Sequence, residues 1–113
     1  MAKVRLIELK LKDKPGTVAE AMGVLGRAGV NVRSVLGWGP QGVVQLTVDN
    51  FGKATRALRA SGMDFTEGRA EVVELRDEPG SLHRYLERLA KRGTNLRSIA
   101  GSDGKTLVWT ASD

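Results

Sequence analysis

Two short segments hold the residues best suited to gripping a small molecule: Asp13, Lys14, Pro15, Gly16 and Thr17, and then Asp77, Glu78, Pro79, Gly80 and Ser81. Each places an aspartate ahead of a Pro-Gly pair that opens a helical pattern. Backbone N–H groups at a helix N-terminus, reinforced by the helix dipole, suit a carboxylate. The aspartate could accept from an ammonium group, and glycine removes the Cβ that would keep a ligand off the main chain. Together these are the demands of an α-amino acid. The same residues also have a plain structural use, with Asp as helix cap and Gly as turn former, and the residues alone leave both uses open. Asn31 and Asn95 are a second matched pair. Asparagine is a poor strand residue, so its presence at two strand starts points to a polar task, either toward a ligand or toward neighbouring loop backbone.

Other chemistry is thinly represented. The 113 residues include no cysteine and one histidine, which excludes disulfides, thiolate metal sites and thiol nucleophiles. His83 has no carboxylate at a catalytic or metal-ligand spacing and reads as a surface residue. No nucleophile–base motif is present, so neither an enzyme nor a metal or cofactor is expected. The net charge is +5 with a pI near 10, but it is dispersed. Residues 1–68 carry 10 basic and 6 acidic side chains, and residues 69–113 carry 8 and 7. The basic run Arg84, Arg88, Lys91 and Arg92 has Glu87 among it and reads as a solvated helix face. Sheet-based RNA readers stack bases on strand aromatics, whereas RLIELKL and VVQLTV have none. A nucleic-acid partner is therefore not expected. No apolar run reaches membrane length and MAKVRLIELKL lacks a signal peptide's apolar core, so the expectation is a cytoplasmic protein without a membrane partner.

The elements that must position these residues occur twice. At an offset of 64, DKPG falls on DEPG and GVNVRSVLG on GTNLRSIAG, and nine of 25 positions are identical over 13–37 and 77–101 without a gap. That is an internal duplication of a small unit. Six of the 14 glycines occupy paired positions. Periodicity predicts a strand over 3–11, a helix over 16–28 with Val18, Met22 and Leu25 inward, and a hairpin of strands 30–36 and 43–48. The copy repeats them as a strand at 70–76, a helix with Leu82, Leu86 and Leu89 inward, and strands 94–100 and 106–111, with Trp109 aligned to Leu46. Proline is expected in the first helical turn, and Gly29 and Gly93 just past the helix ends. Only the first copy continues, into a helix at 51–60 and a short strand at 63–66. The expected fold is α+β, with antiparallel sheets and helices on one face. Residues 1–68 form a ferredoxin-like βαββαβ unit and residues 69–113 a truncated βαββ repeat, the chain turning at Gly68 and Arg69.

A βαββαβ unit of this size, with Asp-x-Pro-Gly after the first strand and Gly-x-Asn after the first helix, resembles the ACT domain, the small regulatory module of amino-acid-metabolic enzymes. The tandem, free-standing form is the nearest resemblance. It implies a non-catalytic sensor that binds an amino acid at the strand-1/helix-1 loop, closed by the neighbouring unit. Residues at the Asp13/Asp77 and Asn31/Asn95 positions often touch the ligand in that family. The departure is the second copy's missing helix and strand. That shortfall would leave an apolar face and a strand edge open, so a homodimer or higher oligomer is expected. The competing reading is an interaction module that binds no ligand and docks on a metabolic enzyme.

Overall fold

The computed structural model describes residues 2–102 and 105–110, with side chains described from Lys3 to Gly101. The elements run β1 (Ala2–Lys10), α1 (Thr17–Arg27), β2 (Val32–Trp38), β3 (Val43–Val48), α2 (Phe51–Ala60), β4 (Phe65–Glu74), α3 (Ser81–Lys91), β5 (Leu96–Ser102) and β6 (Lys105–Thr110). This is the ferredoxin-like α+β arrangement that the sequence pattern predicts. The chain falls into two compact units, one of Arg5–Gly68 and one of Met1–Val4 with Arg69–Asp113.

In the unit Arg5–Gly68 the strand order is β2-β3-β1-β4. Antiparallel pairing sets Ile7 opposite Leu46 and Leu9 opposite Val44. Those four side chains meet Ala21 and Leu25 of α1 and Ala54 and Leu58 of α2 in one buried cluster. Both helices therefore cover the same face. On the other face the Gln45 amide donates to Glu8 Oε1 at 2.8 Å, and the Ser34 and Thr47 hydroxyls share a hydrogen bond. Asn50 starts α2 as a true cap, its Oδ1 accepting from the Lys53 N–H at 3.0 Å.

In the other unit the order is β4-β6-β5, and α3 supplies Tyr85 and Leu89 to a smaller buried cluster with Val73. The duplication extends to an irregularity. Pairing in β2 slips between Val32 and Ser34, and pairing in β5 slips between Leu96 and Ser98. Arg33 and Arg97 are thus the extra residues of matching β-bulges.

Several expectations need correction. No turn exists at Gly68 and Arg69: Phe65–Glu74 is one continuous strand, so the strands expected at 63–66 and 70–76 are a single element. Gly68 lies within this strand, where a Cβ would meet Leu6 at an ordinary 3.5 Å. The helices begin after the Pro-Gly pair, not within it. The inward stripe is also rotated. Val18 and Leu82 are 46% and 43% exposed, and the buried positions are Ala21 with Leu25 and Tyr85 with Leu89. Val18 and Leu82 both occupy the second helical position, and the buried residues follow one and two turns later in each helix. The two helices are rotated alike, so the repeat survives the correction. In the β-ladder Ile99 pairs with Val108, just as Val35 pairs with Leu46. Val108 rather than Trp109 therefore holds the place of Leu46. The expected core side chains of Leu107 and Trp109 lie outside the described residues.

Candidate functional site

The two loops named by the sequence have the same main-chain path. Lys14 N–H donates to Lys12 O and Glu78 N–H to Arg76 O, both at 2.9 Å. Thr17 N–H then reaches Lys14 O at 3.5 Å and Ser81 N–H reaches Glu78 O at 3.3 Å. Between them Gly16 has φ 89° and ψ −10°, and Gly80 has φ 87° and ψ −8°. These are the angles of the third residue of a type II turn, with proline as the second. Proline presets the turn's φ and glycine accepts the positive φ, which is the local reason for Pro-Gly in both copies. Glu20 N–H and Arg84 N–H then bond Gly16 O and Gly80 O, and each helix is under way.

Neither helix start has a side-chain cap. Asp13 and Asp77 are thus not the caps that the structural reading offered. Asp13, Lys14, Pro15, Gly16, Asp77, Glu78, Pro79 and Gly80 are all exposed, and Thr17 and Ser81 are half-buried. The copies differ in what lies over the turn. In the first, Thr17 Oγ1 donates to Lys12 O at 2.9 Å and Lys14 O at 3.2 Å. In the second, Arg84 folds back to Glu78 Oε1 at 3.2 Å and Ser81 Oγ at 3.5 Å. Its Nη1 lies 2.9 Å from where a Cβ on Gly80 would stand. The position 64 residues before Arg84 is Glu20, so the charge beside the turn is reversed between copies.

Asn31 and Asn95 are not brought to these loops within their own units. Each follows a helix of 11 residues, about 16 Å long at 1.5 Å per residue, and so lies at the opposite helix end. Asn31 is held through its main chain. Its N–H donates to Asp49 Oδ1 at 2.9 Å, and its carbonyl accepts from Asp49 N–H at 3.0 Å. Close to the first loop is instead the β2–β3 hairpin. Leu11 N–H donates to Gly42 O at 2.6 Å, and Trp38 ends β2 opposite Val43, itself opposite Lys10.

His83 Nε2 lies 3.7 Å from Glu87 Oε2, one helical turn on, a spacing passed over in the sequence. Both are exposed, and such a pair contributes little. No group of three or more metal-ligating side chains occurs among the described residues. The most perturbed group is also one the sequence did not flag. Tyr85 is buried and its hydroxyl donates to Glu71 Oε1. Burial first, and the adjacent carboxylate second, push its pKa well above the usual tyrosine value. The signal available was the interruption of the apolar strand AEVVEL by Glu71 and the place of Tyr85 four residues before Leu89.

With this geometry in view, solved structures give the fold its class. Protein BT0572 from Bacteroides thetaiotaomicron superposes with a TM-score of 0.81 at 17% identity, covering 96% of this chain and 78% of that one. The regulatory subunit of aspartate kinase from Thermus flavus gives 0.74 at 18%, covering 96% and 82%. A structure of aspartokinase alpha and beta subunits gives 0.72 at 20%, covering 96% and 84%. The fold is the ACT-like one. No protein-family model and no curated protein is a significant match to the sequence. Among the described residues no helix is long and apolar enough to cross a membrane.

Proposed function

We propose that this chain is a non-catalytic regulatory module that binds an amino acid at the β1–α1 loop, the β4–α3 loop, or both. The observation that carries the reading is the twice-built turn, an exposed Pro-Gly corner delivering a helix start with no side-chain cap and an aspartate three residues before its glycine. The regulatory subunit of aspartate kinase among the structural neighbours supports the same reading. In it, main-chain N–H groups of Val18 and Ala19 or of Leu82 and His83 meet the α-carboxylate, and Asp13 or Asp77 meets the α-ammonium. Asn31 and Asn95, at the far ends of their helices, would meet a ligand held by a loop other than that of their own unit. The module is proposed to work as a homo-oligomer, in the cytoplasm, beside an amino-acid-metabolic enzyme.

The test is a thermal-shift and calorimetric screen of the twenty amino acids. A ligand at 100 times its dissociation constant stabilises the fold by about 2.7 kcal/mol, or roughly 10 °C or more for a domain of this size. A flat response across all twenty, on folded protein, rejects the sensor reading. One observation favours the interaction module in that event. Val35 on β2 and Ile99 on β5 are 58% and 40% exposed, and both strands end their sheet order, so each copy offers an apolar edge to another chain.

A further inference from the structure

A buried side-chain hydrogen bond between Tyr85 of α3 and Glu71 of β4 has no counterpart at the matching positions of the first copy. Glu71 on β4 and Tyr85 on α3 correspond, at the offset of 64, to Ile7 on β1 and Ala21 on α1. Both pairs are buried: Ile7 and Ala21 belong to one apolar cluster, and Tyr85 belongs to the other. Three further core positions are alike or identical, with Leu25 matching Leu89, Met22 matching Leu86 and Leu9 matching Val73. The turns that lead into the helices share the same main-chain hydrogen-bond pattern. The helices differ elsewhere too, since α1 and its cap pack Val24 and Ala28 against their cluster and α1 contacts α2, where α3 and its cap carry exposed Arg88 and Arg92. The Glu71–Tyr85 and Ile7–Ala21 pairs, however, are the buried helix–strand contacts whose chemistry is opposite in the two copies.

We propose that Glu71–Tyr85 and Ile7–Ala21 are mismatched keys that keep each αββ segment on its own strand and prevent exchange of segments between two copies of this chain. Tandem repeats are prone to such misassembly, and a buried polar contact that fits only one partner is an established way to specify pairing. Crossing the keys is unfavourable on both sides. Tyr85 set over Ile7 would bury a hydroxyl with no acceptor, in a space that holds only an alanine. Ala21 set over Glu71 would leave a buried carboxylate without its donor and a void the size of the ring. Each exchanged dimer incurs both penalties.

The absence of cysteine makes the test direct. Leu9→Cys with Leu89→Cys places thiols that meet only if α3 has docked on β1, because both positions are buried in separate clusters. Contact between the outer surfaces of two native chains cannot join them. Val73→Cys with Leu89→Cys is the correctly docked control. Each chain is unfolded, refolded reduced, then oxidised, and the cross-linked fraction is read on a denaturing gel. With the natural keys the Leu9–Leu89 cross-link should stay at background. With Glu71→Ile and Tyr85→Ala, which gives both copies the Ile–Ala key, it should rise at least tenfold. With the keys traded (Ile7→Glu, Ala21→Tyr, Glu71→Ile, Tyr85→Ala) it should return to background despite twice as many core changes. Ile7→Glu with Ala21→Tyr gives both copies the Glu–Tyr key and should raise the cross-link as well, so one folded variant of the two is sufficient. Equal cross-linking with natural and identical keys overturns the proposal. So does cross-linking in the traded variant as high as with identical keys, because core damage rather than matching would then be the cause.

Discussion

Gly42 and Leu11 meet main chain to main chain. The Leu11 N–H donates to Gly42 O at 2.6 Å, and a Cβ on Gly42 would lie 2.0 Å from the Leu11 carbonyl oxygen. The contact ties the β2–β3 hairpin to the start of the first candidate loop, so the loop's path depends on a residue far from it in sequence.

Three glycines then form a graded series. At Gly39 φ is not positive and nothing lies within 4 Å of where a methyl would stand, so Gly39→Ala should be near neutral. At Gly16 the space is equally open but φ is 89°, and Gly16→Ala should cost about 1–2 kcal/mol in left-handed strain. Gly42→Ala combines φ 65° with a backbone collision and should cost more than either, at least about 2 kcal/mol. Thermal denaturation of the three variants should rank them in that order.

Asp13→Ala and Asp77→Ala should leave stability within about 0.5 kcal/mol of the natural chain, because neither side chain caps a helix. Asn50→Ala, which removes an observed cap, should cost about 1 kcal/mol. Any amino-acid-induced rise in melting temperature should shrink or vanish in the Asp variants and persist in Asn50→Ala. Melting curves with and without ligand check both halves.

Tyr85→Phe leaves the Glu71 carboxylate buried without this donor and should cost about 1–3 kcal/mol. Adding Glu71→Leu should recover most of that loss, since apolar replacements of buried polar pairs are often neutral or stabilising. Urea denaturation of the single and double variants separates the two effects.

Tyr85 is the only tyrosine, so near-ultraviolet tyrosinate absorbance reports it alone. Its pKa is raised in the folded chain above the ordinary 10.0. Above that ordinary value the unfolded chain loses the phenolic proton while the folded chain keeps it. The unfolded state then binds fewer protons, and stability falls as pH rises. Below it both states are protonated and the group contributes no slope. The natural chain should therefore lose stability more steeply than Tyr85→Phe once pH exceeds about 10, and its tyrosinate signal should appear together with unfolding.

The repeat, the order of elements and the two turns were legible in sequence because Pro-Gly and the capping glycines impose local geometry that tolerates few substitutes. Gly68 misled for the same reason. A glycine reads as punctuation, yet here it is a strand residue facing Leu6, and that fact depends on tertiary packing. The helix faces were displaced because Val18 and Leu82 outrank Ala21 on any hydropathy scale, whereas burial followed position over the sheet. The repeat and the family resemblance pair Asn31 with Asp13, whereas the distance set between them by an 11-residue helix is a property of the fold. Glu71 and Tyr85 escaped notice because each looks ordinary until the fold brings them together.

The continuity of β4 removes any seam between the repeats. Phe65 to Gly68 serve the first unit and Arg69 to Glu74 the second, so the boundary that divides the sequence falls inside a hydrogen-bonded element. A chain ended at Gly68 would stop in mid-strand, and one begun at Arg69 would lack the Met1–Val4 segment grouped with it. The two copies can differ residue by residue, as Glu20 and Arg84 do, but no cut at the repeat boundary leaves β4 whole.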